Sequence, residues 1–167
     1  GLTYTFTLKD GLIWDNEEPV TADDFVFGIR RSLDPDTKSP FASRLFSIKN
    51  AKSVNVGQNS VDSLGITAVD DKTVKITLEC EDEKFLETLT TSVAMPCNEK
   101  FFEGSKGKYG LFRENIISNG SYRLTKWNKE SFGIRLYRNE KYTGEFKAKN
   151  AAVFLTCNPE TPVTEKL

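Results

Sequence analysis

Two alternating runs on either side of one tight turn constrain this chain more than any other feature. Ile66-Thr-Ala-Val and Thr73-Val-Lys-Ile-Thr-Leu flank Asp70-Asp71-Lys72. A period of two, rich in β-branched residues and broken by a short polar turn, predicts a β-hairpin. Val74, Ile76 and Leu78 fall on one face, and Lys75 and Thr77 on the other. Such a hairpin has one apolar side that needs a covering layer. Residues 3 to 8 alternate in the same way, with Tyr4, Phe6 and Leu8 sharing a face, so a further strand is expected at the start of the chain.

The covering layer is legible as helical spacing. Thr21 lies three residues before Asp24, a variant of the capping box, and Phe25, Val26, Ile29 and Leu33 then form one stripe. Arg30 and Arg31 suit the negative end of the helix dipole, and Asp34-Pro35 ends the helix. Ser39-Pro40 opens a second predicted helix with Phe41, Leu45 and Ile48 on its stripe and Phe46 beside it. A polar loop is expected from Asn55 to Ser63. Asp82 to Leu89 reads as a helix with Phe85, Leu86 and Leu89 inward, and Asn98 to Glu103 as one or two helical turns. Residues 104 to 118 read as a glycine-rich, charged loop. Asn119-Gly120 is a turn dipeptide tolerant of positive φ. Ser121 to Trp127 and Phe132 to Arg138 alternate across a polar turn at Asn128 to Ser131, and Ala151 to Thr156 reads as a buried strand. The fold class is α+β: mixed small sheets with a hairpin and several short helices.

Composition removes whole classes of function. The 24 acidic and 23 basic side chains nearly cancel, leaving a net charge of -1, so the basic face of a nucleic-acid binder is not expected. Histidine is absent, which excludes Ser-His-Asp and Cys-His catalysis and every histidine-containing metal site. The pairs Asp23-Asp24 and Asp70-Asp71 and the run Glu81-Asp82-Glu83 fall at turns or helix starts, where carboxylates cap amides. Gly104-Ser-Lys-Gly-Lys lacks the span of a phosphate loop. No catalytic residue, cofactor site or metal site is expected, and no apolar run reaches the length of a membrane span. Cys80, Cys97 and Cys157 form no CxxC and are read as three free thiols.

Phe41 has two readings. It can belong to the core stripe, or it can project from a helix start into a cleft and contact a ligand. The chain opens inside a strand with no initiator Met and closes on the opening of a helix, so a piece of a longer protein is expected. Strands after about residue 120 would then lack sheet neighbours and could pair with a second copy, giving dimers.

Several ordered motifs resemble one family. Tyr4-Thr-Phe-Thr-Leu-Lys-Asp-Gly-Leu-Ile-Trp, Glu18-Pro-Val-Thr-Ala-Asp-Asp-Phe-Val-Phe, Arg31-Ser-Leu-Asp-Pro and Ser39-Pro-Phe-Ala-Ser are followed by three later landmarks. These are Leu64-Gly-Ile-Thr-Ala-Val-Asp-Asp-Lys-Thr-Val, Ser118-Asn-Gly-Ser-Tyr-Arg-Leu-Thr-Lys-Trp and Arg138-Asn-Glu-Lys-Tyr. The set is similar to the family 5 extracellular solute-binding proteins, the oligopeptide- and dipeptide-binding receptors of ABC importers. The resemblance implies a fragment of a three-lobed, periplasmic-binding-protein-like fold. Residues 1–97 would supply the small mixed α/β lobe beside the ligand cleft, and 98–167 incomplete strands of the first ligand-binding lobe. It also implies capture of a peptide or similar small solute, delivery to ABC permease subunits, and an extracytoplasmic place at the cell surface or in the periplasm. Any membrane attachment would run through a lipoprotein anchor missing from this chain. The alternative on the same scaffold is a receptor or adhesive module that binds a partner protein. Relatives carry glycine in the turn after the first Trp, whereas Asn16-Glu17 stands here, which implies a changed turn type. Relatives can carry tyrosine where Phe41 stands, and Phe lacks that hydroxyl donor.

Overall fold

The alternation of residues 3 to 8 forms strand β1, Thr3–Thr7, in the computed structural model, which describes residues 1–128 and 133–156. The capping box then starts helix α1, Ala22–Leu33: the Thr21 N–H donates to Asp24 Oδ2 at 2.9 Å. Val26, Ile29 and Leu33 of the expected stripe are buried, and Phe25 is half-buried. Each fully buried side chain of that size contributes about 1.5–3 kcal/mol. Asp34 ends the helix in an extended conformation and accepts the Asp36 N–H, opening a 3-10 turn over Pro35–Thr37.

The second expected helix differs. A 3-10 turn covers only Ala42–Leu45, and a separate short helix α2 spans Ala51–Asn55, just ahead of the expected Asn55–Ser63 loop. Asn50 precedes α2 at φ 64, and its side chain donates to Ser63 O at 2.7 Å. A tertiary hydrogen bond thus starts this helix, and residue spacing does not register it. The hairpin is present as β2, Ile66–Asp70, and β3, Thr73–Thr77. β1 adds to the other side of β3, giving an antiparallel sheet in the order β1-β3-β2 with Phe6 opposite Val74 and Ile66 opposite Ile76. A bulge lies between Ala68 and Asp70. Val74, Ile76 and Leu78 are buried with the α1 stripe, Leu45, Ile48 and Val54 in one core.

Helix α3 is shorter than its pattern, covering Phe85–Thr88, and it turns only one expected residue fully inward. Phe85 is fully buried against the Tyr4 ring, 5.1 Å between centroids, whereas Leu86 is 54% exposed. Leu89 is half-buried against the same core, so of the three expected residues only Leu86 turns outward. Asn98 caps α4, Glu99–Gly104, by accepting the Phe101 N–H at 2.8 Å.

The chain divides into two compact units. One comprises Gly1–Asp10 with Val20–Phe101, and the other Gly11–Pro19 with the chain from Phe102 onward. In the second unit, β4, Tyr122–Asn128, β5, Gly133–Arg138, and β6, Ala152–Thr156, form an antiparallel sheet in that order. Residues 129–131 of the expected turn and Phe132 of the expected strand lie outside the described residues. A bulge between Leu124 and Lys126 leaves Thr125 without a strand partner, and its hydroxyl donates to Arg135 O at 3.1 Å. β6 is not the buried strand expected: Phe154 and Leu155 are 58% and 49% exposed. It lies at a sheet edge, and among the described residues of this unit the only large apolar side chain that is buried is Trp14. Gly120 does not take positive φ; its carbonyl accepts the Asn139 side-chain amide at 3.1 Å.

The segment Gly11–Pro19 is a small hairpin. Ile13 bridges Pro19, the Glu17 N–H donates to Trp14 O at 2.9 Å, and the Trp14 N–H donates to Glu18 O at 2.8 Å. Glu17 takes φ 74. The turn therefore places a non-glycine residue in the left-handed region that favours glycine. Glu17 holds that position with its carboxylate paired to the Lys141 ammonium, while Asp15 N–H donates to Ser118 O at 2.8 Å.

Candidate functional site

The segment that follows the Pro35–Thr37 turn is built to show one face and hide the other. Ala42 and Leu45 are buried, which anchors the 3-10 turn to the core. In a 3-10 turn, side chains three apart eclipse one another. Phe41 and Arg44 are therefore stacked on the outer side. The Arg44 N–H donates to Phe41 O at 3.1 Å, and the Arg44 guanidinium carbon lies 5.2 Å from the centre of the Phe41 ring. Phe41 is 51% exposed, so it is not on the core stripe with Leu45 and Ile48. Nothing else among its neighbours in sequence is both large, apolar and open to solvent. Arg44 was not legible as part of this arrangement: residues three apart are neighbours on an α-helix too, but spacing does not say that a guanidinium lies over the ring.

Two hollows lie elsewhere. One of about 520 Å³ in the first unit is walled by Phe46, Ile48, Asn50, Lys52, Val56 and Glu79 among others. Glu79 Oε2 accepts the Asn50 N–H there at 3.2 Å. The other, about 250 Å³, lies on the β5–β6 surface between Lys126, Arg135 and Phe154, with the Arg135 guanidinium 5.5 Å from the Phe154 ring centre.

The acidic groups serve local structure. Asp24 caps α1, Asp82 accepts the Lys84 N–H at 2.9 Å, and Asp70 accepts the Lys72 N–H at 2.8 Å. The hydrogen bond from the Lys72 backbone, then that with Thr73, holds the Asp70 carboxyl below its ordinary value. Hydrogen bonding to Lys72, reinforced by its charge, lowers Asp10, and the same pair raises Lys72. Lys141 lowers Glu17 in the same manner. Among the described residues, no group of three or more His, Cys, Asp or Glu side chains could hold a metal ion. Ser105 of the Gly104–Lys108 loop is buried and donates to Phe102 O at 2.6 Å, a turn contact. Cys80 is exposed and Cys97 buried, and neither is in a disulfide; Cys157 lies outside the described residues. No described helix is long and apolar enough to cross a membrane.

This architecture recurs in known proteins. The oligopeptide-binding protein OppA of Bacillus subtilis is 39% identical over 149 residues, which cover 89% of this chain and 27% of that protein. The substrate-binding domain of an oligopeptide ABC transporter from Bacillus anthracis superposes with a TM-score of 0.82 at 40% identity, covering 86% of this chain and 27% of the other. OppA of Listeria monocytogenes, solved bound to peptide, superposes with a TM-score of 0.88 at 30% identity over 93% of this chain and 30% of its own. The chain thus spans a little under a third of the length of these relatives. The sequence pattern of the middle part of the family 5 bacterial extracellular solute-binding proteins extends over residues 1–166. With that match running almost end to end, the chain belongs to the family 5 bacterial extracellular solute-binding proteins.

Proposed function

We propose that this chain is part of a receptor that captures peptides outside the cytoplasmic membrane and hands them to an ABC permease. The single observation that carries the reading is the superposition on a receptor solved with peptide bound, at 30% identity across 93% of this chain. Capture works by closure of lobes around the ligand, so that a closed state is selected by the solute that fits it. The first compact unit supplies the small lobe beside the cleft, and the second supplies strands of the first ligand-binding lobe. Phe41 lies on the ligand side, where its ring offers apolar contact without a hydroxyl. Its exposure on a turn anchored by Ala42 and Leu45 supports that role. The protein does no chemistry on its ligand, and a lipoprotein anchor holds the full-length receptor at the membrane. Produced alone, the segment binds peptide weakly, because one wall leaves a ligand solvated, and the open edge of β6 promotes dimers.

Isothermal titration of the full-length receptor with di- to pentapeptides tests the reading. Dissociation constants at or below micromolar, about -8 kcal/mol, are expected for some of them. Absence of binding across the set, with peptide uptake unchanged in a strain lacking the receptor, would overturn it.

A further inference from the structure

We infer that Arg44, held against Phe41, makes this wall of the site selective for a peptide carboxylate. The inference rests on the reading of Phe41 as a ligand contact. The Phe41 ring has no polar atom to offer, so directional recognition at this place must come from its neighbour. That neighbour is a guanidinium 5.2 Å from the ring centre. A cation held by a ring face uses none of its N–H donors in doing so. Arginine has five such donors, no acceptor and a permanent charge, and its planar fork matches a carboxylate with two parallel hydrogen bonds. No carboxylate among the described residues pairs with Arg44, whereas Arg30, Lys72, Arg138 and Lys141 each have one within ion-pair distance.

The turn also fixes where that charge sits. Leu45 and Ala42 are buried beneath it, and the 3-10 spacing eclipses residues 41 and 44. The ring narrows the freedom of a long side chain before ligand arrives, so less conformational entropy is lost on binding. The favoured ligand presents a carboxylate to this wall. Its source is an acidic side chain or the C-terminal carboxylate, which share one chemistry. A neutral amide at the same place leaves the guanidinium without its charge partner, and a lysine side chain meets like charge.

The test uses the full-length receptor and an alanine tetrapeptide series. Glu or Gln stands at each position in turn, and each peptide is made with a free or an amidated C-terminus. Calorimetric titration is expected to show either Glu over Gln by fivefold to tenfold at one position, or free acid over amide by the same factor. Arg44→Gln should bring that ratio within twofold, and Arg44→Lys should retain part of it. Phe41→Ala, with Phe41→Leu as a milder partner, should weaken every peptide. Both side chains are exposed, and matched melting temperatures establish that the variants are folded. If Phe41→Ala weakens all peptides while Arg44→Gln leaves the ratio unchanged, the inference about Arg44 falls and the contact at Phe41 stands. If neither variant alters any affinity, the reading of Phe41 falls with it. A wild-type receptor that shows neither preference also overturns the inference.

Discussion

Gly28 and Met95 approach so closely that a Cβ on Gly28 would lie 2.3 Å from the Met95 carbonyl oxygen. The Cys97 main-chain nitrogen would be 3.2 Å away, and the Cys97 N–H donates to Asp24 O at 2.9 Å. The segment cannot retreat from α1 without losing that hydrogen bond.

Alanine normally favours a helix over glycine by about 1 kcal/mol. At position 28 the clash is with main chain and dominates that preference. Gly28→Ala is therefore expected to destabilise the first unit by about 2–3 kcal/mol, in the range for overpacked cores. Denaturant unfolding of the full-length receptor measures it. A midpoint equal to or above that of the parent would contradict the close approach.

Phe85 and Leu86 are adjacent and should behave oppositely. Phe85→Ala removes a fully buried ring and should cost about 3–5 kcal/mol. Leu86→Ala, at a half-exposed position, should stay within about 0.5 kcal/mol. Comparable losses in thermal unfolding would show that both side chains are core.

Glu17 pits backbone against charge. Its φ of 74 favours glycine, while its carboxylate pairs with Lys141. Glu17→Gly is expected to raise the melting temperature by about 2–4 °C near neutral pH. The Glu17 pKa is depressed in the folded state by Lys141. The contribution of the pair is thus complete above the ordinary glutamate pKa and is lost as pH falls through the folded value. The advantage of glycine should therefore widen on acidification. A gap that narrows at low pH would refute the pairing.

Asp10 and Lys72 give a salt-sensitive counterpart. Asp10 is lowered and Lys72 raised, so their mutual contribution is full between the two ordinary pKa values. It fades below, as Asp10 protonates, and above, as Lys72 loses its proton. Lys72→Met should return the Asp10 titration, followed by NMR, to the ordinary aspartate range. Because both groups are exposed, about 1 M salt should erase most of the difference.

Much of the fold was legible where a period repeated. The hairpin, β1, the α1 stripe and its Thr21–Asp24 cap need only a few successive residues to declare themselves. What failed depended on contacts distant in sequence. Nothing near Asn50 announces that Ser63 will hold it, and nothing near Gly28 announces Met95. Leu86 and β6 failed for another reason: apolarity states what can be buried, not whether a partner layer is there. At the candidate site, Pro40 marks Phe41 as a residue at a helix start, whereas the contact of Arg44 with its ring depends on side-chain conformations that residue spacing does not give.

The hairpin Gly11–Pro19 also sets a timetable. Its polar partners within the same unit are Ser118, Lys141 and Thr143, which lie 103, 124 and 132 residues downstream of the groups they meet. At a synthesis rate of about 5–20 residues per second, the hairpin leaves the ribosome roughly 5–25 s before those partners do. For that interval Trp14 and the left-handed Glu17 must wait without the contacts that hold them, while β1, α1 and the β2–β3 hairpin already have theirs. Nascent chains arrested before and after residue 143 has cleared the exit tunnel should therefore differ in protease sensitivity at Gly11–Pro19, and the first unit should be protected in both.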